Sequence, residues 1–454
     1  MLSPEETQFI EHVKDLARLR VRGQVTSIVG PVLKIRGLRA SVGQHVDLWP
    51  ESRSDSVSAE AIGMDEHDIL CMAYDSLEGI STGCEATVRN ADTLVPVGDA
   101  LLGRIVDAHG RPLDDRPLTL DGRQSLRGTP PSPMTRKRID SVLATGVRSL
   151  DTMLTLGEGQ RVGIYAGAGV GKTTLLSMLT MHGDFDVCVI GLVGERGREV
   201  REFVEDAVTD ANRARTCVVA VTGDQAPLTR ARGALYATAI AEYFREKGRR
   251  VVLLLDSLTR YAMALREVGL AGGELPATKG YPPSVFVELA RLLERAGNSR
   301  NGSITGIYTV LVEGDDMVDP IADSTRALLD GHIILSRDFA NRGIFPAVDV
   351  LASKSRLITQ LATPEHLATA RAASAMLADY YQAEDLIRIG AYQRGSDPAI
   401  DKAIQFMPQF LQFLSQAQHT KSSFADAISQ LTALVRQMDG GATTGKQRKR
   451  RLPS

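Results

Sequence analysis

The chain has 454 residues, more than a single core of roughly 250 to 300 residues accommodates, so two or three domains are expected. Apolar residues at 43% and charged residues at 24% are ordinary for a soluble protein, and a net charge of −2 argues against a chain devoted to nucleic acid. No apolar run reaches membrane-helix length, the acidic first residues are unlike a signal peptide, and Cys71, Cys84, Cys188 and Cys217 form no CxxC pair, so buried free thiols in a cytoplasmic protein are expected.

Ser3-Pro4-Glu5-Glu6 reads as a helix start, with Ser3 as N-cap and Pro4 at the first helical position. Phe9, Ile10, Val13, Leu16 and Ala17 recur at helical spacing and predict an amphipathic helix over 1–20 that docks on its own chain or on a partner. Over 21–97 short alternating runs, from Gln24 to Val29, Val32 to Ile35, His45 to Leu48, Ala59 to Ile62, Asp68 to Met72 and Glu85 to Val88, predict a small β-barrel or sandwich. Residues 98–138 are rich in Gly, Pro and Asp and read as a linker.

Over 139–361 apolar strands alternate with amphipathic stretches, the signature of an α/β domain with a parallel sheet. The expected strands start at Arg161, Val187, Cys217, Val251, Ile304 and His332. Residues 362–439 read as a C-terminal α-helical domain in which Pro398 and Pro408 separate short helices and Phe424 to Met438 forms a last amphipathic one. The tail 440–454, with Lys446-Gln-Arg-Lys-Arg-Arg451, has no means of burying a core and is expected to be a disordered, solvated end.

Chemistry concentrates in Ala166-Gly-Ala-Gly-Val-Gly-Lys-Thr173, which joins an apolar strand to a helix and has the form of a phosphate-binding loop, with Ala166 where the pattern usually has Gly. Backbone N–H groups of Ala168, Gly169, Val170, Gly171, Lys172, Thr173 and Thr174 are expected to converge on a polyphosphate. Lys172 then reaches the β and γ phosphates and the Thr173 hydroxyl completes a Mg2+ shell. Val251-Val-Leu-Leu-Leu-Asp256 is an apolar strand ending in an acid, the Walker B form, so Asp256 is a second Mg2+ contact beside the phosphate loop. Glu195 follows the strand starting at Val187, taken as a neighbour of the loop strand, and can hold an attacking water. Taken alone, Asp256 could cap a turn and Glu195 could sit in a charged loop.

Together these pieces resemble the catalytic subunits of the rotary ATPase superfamily, most closely the protein-export ATPases of type III secretion. The resemblance runs from about Gly23 to Leu414 and rests on the string from Leu102 to Pro112, the phosphate loop, Gly191-Leu-Val-Gly-Glu-Arg-Gly-Arg-Glu-Val200, Leu255-Asp-Ser-Leu-Thr-Arg-Tyr-Ala262 and Gly343-Ile-Phe-Pro-Ala-Val-Asp349. It implies a β-barrel, a RecA-like P-loop domain and a helical C-terminal domain. It also implies ATP as substrate, Mg2+ as cofactor, Glu195 as the water-activating residue, Phe345 as the aromatic residue against adenine and Arg356 as an arginine finger reaching a neighbouring subunit. Without the family strings, Phe345 reads as a core residue and Arg356 as a surface one.

The resemblance further implies a homo-hexamer. Its implied partners are an export regulator at the N-terminal helix, a central stalk protein, an export gate and chaperone–substrate complexes, with peripheral membrane association through them. Glu274 and the strings from Glu274 to Phe286 and from Leu311 to Asp316 favour the export type over the rotary β subunit. Ala322-Asp-Ser324 and the segment from Ile389 to Pro398 favour flagellar export over a virulence injectisome. Lys354 departs from the small or apolar residue usual before the finger. A non-catalytic ring subunit is the rival that lacks the water-activating acid. A nucleic-acid translocase is disfavoured by the few aromatic and basic residues of the barrel region.

Overall fold

The computed structural model describes residues 21–51, 55–89, 94–312 and 319–440, so the expected helix over 1–20, the tail beyond 440 and Asp315-Asp316 lie outside the described residues. The chain divides into two compact units, one of residues up to Leu94 with 224–231 and 263–285, the other of the remaining residues.

The first unit holds a closed antiparallel barrel. Its strands are β1 (Arg22–Val29), β2 (Val32–Arg36), β3 (His45–Trp49), β4 (Val57–Asp65), β5 (Asp68–Ala73) and β6 (Glu85–Val88), joined in the order β1-β2-β5-β4-β3-β6. Alternation along β1 and β2 sends Val25, Leu33 and Ile35 inward, where Val46, Leu48, Ala59, Cys71 and Ala86 complete a dry core. Closure removes the free sheet edges. Within the same unit Thr229 donates its hydroxyl to the Tyr74 carbonyl at 2.5 Å and Leu228 packs with Met72 and Tyr74.

The second unit is built on a sheet of β7 (Ile105–Val106), β8 (Arg161–Ala166), β9 (Val187–Glu195), β10 (Thr216–Thr222), β11 (Arg250–Asp256), β12 (Ser303–Leu311), β13 (Gly331–Leu335) and β14 (Val348–Ser355). The order is β14-β13-β8-β12-β11-β9-β10-β7, and every neighbouring pair is parallel except β13 with β14. All nine residues of β9 are buried, as a strand covered on both faces requires. All four cysteines are free and buried.

Among the strands the sequence missed are two on the main path of this sheet. Ile105–Val106, inside the stretch read as linker, pairs with Val218 and Val219 at the sheet edge, too short a run for any periodic signal. β14 turns back antiparallel on β13, and its exposed Leu351, Ala352 and Lys354 blur the apolar pattern that marks the inner strands.

The helical region contains α1 (Arg148–Met153), α2 (Lys172–His182), α3 (Gly197–Ala207), α4 (Leu258–Ala271), α5 (Pro364–Arg388), α6 (Pro398–Leu414) and α7 (Phe424–Gly440) among its longer and site-bearing members. Thr363 caps α5 by accepting from the His366 N–H, with Pro364 at the first turn, and Asp397 caps α6 in the same way ahead of Pro398. Pro408 does not break the chain into two helices as expected: α6 runs through it. Proline removes one backbone donor, but Phe406, Met407, Phe410 and Phe413 on one buried face hold the helix, and the Phe406 and Phe410 rings stack 4.9 Å apart. Leu150 and Met153 of α1 share one apolar core with Ala370, Met376, Phe410, Leu431 and Val435. Among the described residues no helix is long and apolar enough to cross a membrane.

Asp151 organises the turn ahead of α1. It is 1% exposed and accepts hydrogen bonds from the Thr145 N–H at 2.8 Å, the Thr145 hydroxyl at 2.7 Å and the Gly146 N–H at 3.0 Å. Burial outweighs these bonds and pushes its carboxyl up from 3.8 to about 6. The folded state therefore binds this proton more tightly than the unfolded chain, and stability falls as pH rises from about 3.8 through about 6. Thermal melting of wild type and Asp151→Asn across that range should show wild type gaining on the variant as pH is lowered.

Candidate active site

The phosphate loop leaves the C-terminal end of β8 and enters α2 at Lys172. Gly169 and Gly171 have φ of +75° and +93°, the left-handed region where a side chain is strained. Gly171 has a second reason to lack a side chain, since a Cβ there would lie 3.1 Å from the Phe345 ring. Phe345 thus packs against the loop and is 37% exposed, free to offer a ring face to a ligand. Val170 is the loop's apolar anchor, 1% exposed in the core, so only its backbone faces the loop.

Gly167, Ala168, Gly169, Gly171, Lys172, Thr173, Glu195, Arg196, Glu199, Asp256 and Arg260 line a cavity of about 410 Å³, with Leu192, Val200, Phe203 and Leu311 as its apolar wall. Thr174, Phe345 and Arg356 are not among the lining residues. The Lys172 ammonium lies 2.6 Å from Asp256 Oδ1 and 3.5 Å from Glu195 Oε1. Burial works to lower the Lys172 pKa, but the two carboxylates outweigh it and hold the group above its ordinary range. Burial, with Asp256 beside it, raises Glu195 above the usual carboxylate value, and Lys172 and Arg260 offset this only in part. Thr309 donates its hydroxyl to Asp256 Oδ1 at 2.5 Å and fixes that carboxylate.

Neither acid stands on a strand next to the loop strand, as the sequence had suggested for Glu195. β12 lies between β8 and β11, and both β12 and β11 lie between β8 and β9. Two features close the gap. The long Lys172 side chain reaches across, and β9 carries an irregularity between Val193 and Glu195, with Gly194 at φ +75°, that redirects the end of the strand. The sequence also missed Arg260, four residues beyond Asp256 on α4. Its Nε is buried with no hydrogen-bond partner among the described residues, and it lines the same cavity as Lys172, Glu195 and Asp256. Its place in the string from Leu255 to Ala262 was the available signal.

Thr173 and Asp256 bring two hard oxygen donors to one cavity, which suits Mg2+, an ion that takes few protein oxygens and keeps waters and phosphate ligands. Among the described residues no cluster of three or more His, Cys, Asp or Glu side chains could hold a metal ion.

Arg356 lies elsewhere. Its N–H donates to the Asp330 carbonyl at 3.1 Å, its guanidinium donates to the Arg326 carbonyl at 3.3 Å, and it is exposed. Ser355 pairs with Gly331 at the start of β13, so Arg356 stands at the N-terminal edge of the parallel strands, opposite the phosphate loop. The length of β8 alone separates those edges by roughly 17 Å.

Comparison with known proteins agrees with the sequence resemblance. Residues 25–88 match the ATP synthase alpha/beta family β-barrel domain, 146–355 its nucleotide-binding domain and 362–433 the T3SS EscN ATPase C-terminal domain. The chain is 47% identical over 415 residues to the flagellum-specific ATP synthase of Bacillus subtilis, covering 91% of this chain and 95% of that one. It is 49% identical over 359 residues to the SPI-2 type 3 secretion system ATPase of Salmonella typhimurium, covering 79% and 83%. The structure of the assembled ATPase EscN from enteropathogenic E. coli superposes with a TM-score of 0.86 at 42% identity, covering 91% of this chain and all of that one. EscN in complex with its central stalk EscO gives 0.83 at 41%, with the same coverage.

The bend at Gly194 carries a testable consequence. A Cβ there would meet Arg260 at 3.0 Å on a backbone that disfavours side chains. Gly194→Ala should lower kcat for triphosphate hydrolysis by roughly 10²-fold through misplaced Glu195 and Arg260, with far-UV circular dichroism unchanged.

Proposed function

The chain belongs to the ATP synthase alpha/beta family, among its type III export ATPases, and is an ATP hydrolase; from that premise we propose that it energises flagellar protein export as a hexameric ring at the cytoplasmic face of the membrane. The observation that carries the catalytic part is the convergence of Lys172, Glu195 and Asp256 on one cavity behind the phosphate loop.

In the proposed reaction ATP lies with its phosphates against the loop N–H groups from Ala168 to Thr174 and its adenine against Phe345. The Lys172 ammonium turns from the two carboxylates to the β and γ phosphate oxygens. Thr173 and Asp256 hold Mg2+, which when bound neutralises phosphate charge. Glu195, once Lys172 has turned away, orients a water and draws off its proton as the water oxygen bonds to the γ phosphorus. The bond from that phosphorus to the bridging oxygen breaks, leaving ADP and phosphate. Arg260 stabilises the charge from within the chain. Arg356 does so from the neighbouring subunit, since it stands at the opposite edge of its own sheet.

Substrates of the export work are chaperone-bound proteins, and the partners are an export regulator at residues 1–20, a central stalk protein and the export gate, with 391–414 facing the gate or the stalk. The solved relative in complex with its central stalk supports the stalk assignment. The segment from Ile389 to Pro398 favours the flagellar system. The 49% identity to an injectisome ATPase favours the second reading, export through a virulence apparatus. Restoration of swimming in a flagellar ATPase null strain would support the first, and restored effector secretion without swimming the second.

Magnesium-dependent ATP turnover per subunit should rise with protein concentration as rings form, and Glu195→Gln should lower it by roughly 10² to 10⁴-fold. Turnover independent of concentration and intact in the variant would contradict both the ring and the role of Glu195.

A further inference from the structure

The connection between α6 and α7 is tied to the nucleotide-binding sheet unit at several points, one buried side chain, Gln416, among them. Gln416, 4% exposed, donates its backbone N–H to the Phe345 carbonyl at 2.8 Å. Its Oε1 accepts from the Arg148 backbone N–H at 2.8 Å, and its Nε2 donates to the Gly146 carbonyl at 2.7 Å and the Thr420 carbonyl at 2.6 Å. Both amide hydrogens and the carbonyl oxygen of one side chain are therefore in use. The Arg148 guanidinium donates to the Ser415 carbonyl at 2.5 Å and lies over the Phe413 ring, 5.5 Å from its centre. His182, the last residue of the helix that begins at Lys172, has Nε2 2.7 Å from the Gln418 carbonyl.

Phe345 needs such a tether. The residue is 37% exposed, so packing alone fixes it weakly, yet its ring lies against Gly171 of the phosphate loop. The phosphate loop has its own supports in β8, the first turns of α2 and the Val170 anchor, and residues 415–423 meet α2 at its far end, where His182 lies against the Gln418 carbonyl. We infer that Gln416 is a positioning residue for the base-facing wall of the nucleotide site, holding Phe345 from the C-terminal helices so that base recognition depends on the 415–423 connection while phosphate recognition does not. The inference rests on the proposal that adenine packs against Phe345.

Replacing the amide with an apolar side chain of similar size leaves the buried Arg148 N–H without its acceptor and releases the turn that holds the Phe345 carbonyl. The test is calorimetric binding of Mg-ATP and of Mg-tripolyphosphate, which has the phosphates without the base, to the full chain carrying Gln416→Met, Phe345→Ala or both. Gln416→Met should weaken ATP roughly 5-fold or more and leave tripolyphosphate unchanged. The double variant should bind ATP no more weakly than Phe345→Ala alone. Should Gln416→Met fail to fold, Gln416→Glu, which keeps the oxygen facing Arg148 but sets an acceptor against Gly146, is judged by the same outcomes. Equal weakening of both ligands, no weakening of either, or additive losses in the double variant would overturn the inference and leave Phe345 in its role. A Phe345→Ala protein whose ATP and tripolyphosphate affinities keep the wild-type ratio would remove the base contact itself, and the inference with it.

Discussion

The Lys172 ammonium lies 2.6 Å from Asp256 and 3.5 Å from Glu195, and all three side chains are nearly closed to water. Two carboxylates this close would repel one another, and an unpaired ammonium in the same space would be costly to keep charged. Each group is held in place by the others, and the arrangement persists only while no stronger anion enters. A triphosphate is such an anion, and its arrival at the loop offers Lys172 a better partner. In the proposed reaction the resting geometry stores the acid in an inactive pairing and releases it when substrate is present. Lys172 belongs to the loop itself, so on this proposal substrate binding and the freeing of Glu195 are one event.

The parallel sheet explains why these groups meet. Strands that run the same way end on the same edge, and there the phosphate loop, Glu195 and Asp256 follow β8, β9 and β11. The same rule keeps Arg356 away. β14 runs antiparallel to β13, so its last residue, Ser355, and Arg356 after it come back to the opposite edge. One chain places the glycine-rich loop, Glu195 and Asp256 at one edge, and an exposed cation at the other. In a heterologous ring the two edges of neighbouring subunits are the surfaces available to complete one site.

Much of this was legible in the sequence because it rests on local pattern. The loop glycines, the Walker B strand and the period-2 runs of the barrel each carry their structure within a few residues. What was hidden depends on contacts distant in sequence. Pro408 reads as a break and is overridden by the apolar face from Phe406 to Phe413. Glu195 reads as lying beside the loop strand, and only the strand order and the bend at Gly194 show how it arrives from beyond two intervening strands. Gln416 has no sequence signal at all, since its partners Gly146, Arg148 and Phe345 are 270, 268 and 71 positions away and none forms a motif with it.

The central claim is that a working site needs Glu195 from one subunit and Arg356 from the next. The most direct measurement is ATP turnover by Arg356→Ala protein, by Glu195→Gln protein and by an equal mixture of the two after subunit exchange. Each variant alone should be nearly inactive, and the mixture should regain activity, because about a quarter of randomly formed interfaces would pair an intact Glu195 with an intact Arg356. A mixture no more active than its two components would contradict the claim and return Arg356 to the role of an ordinary surface residue.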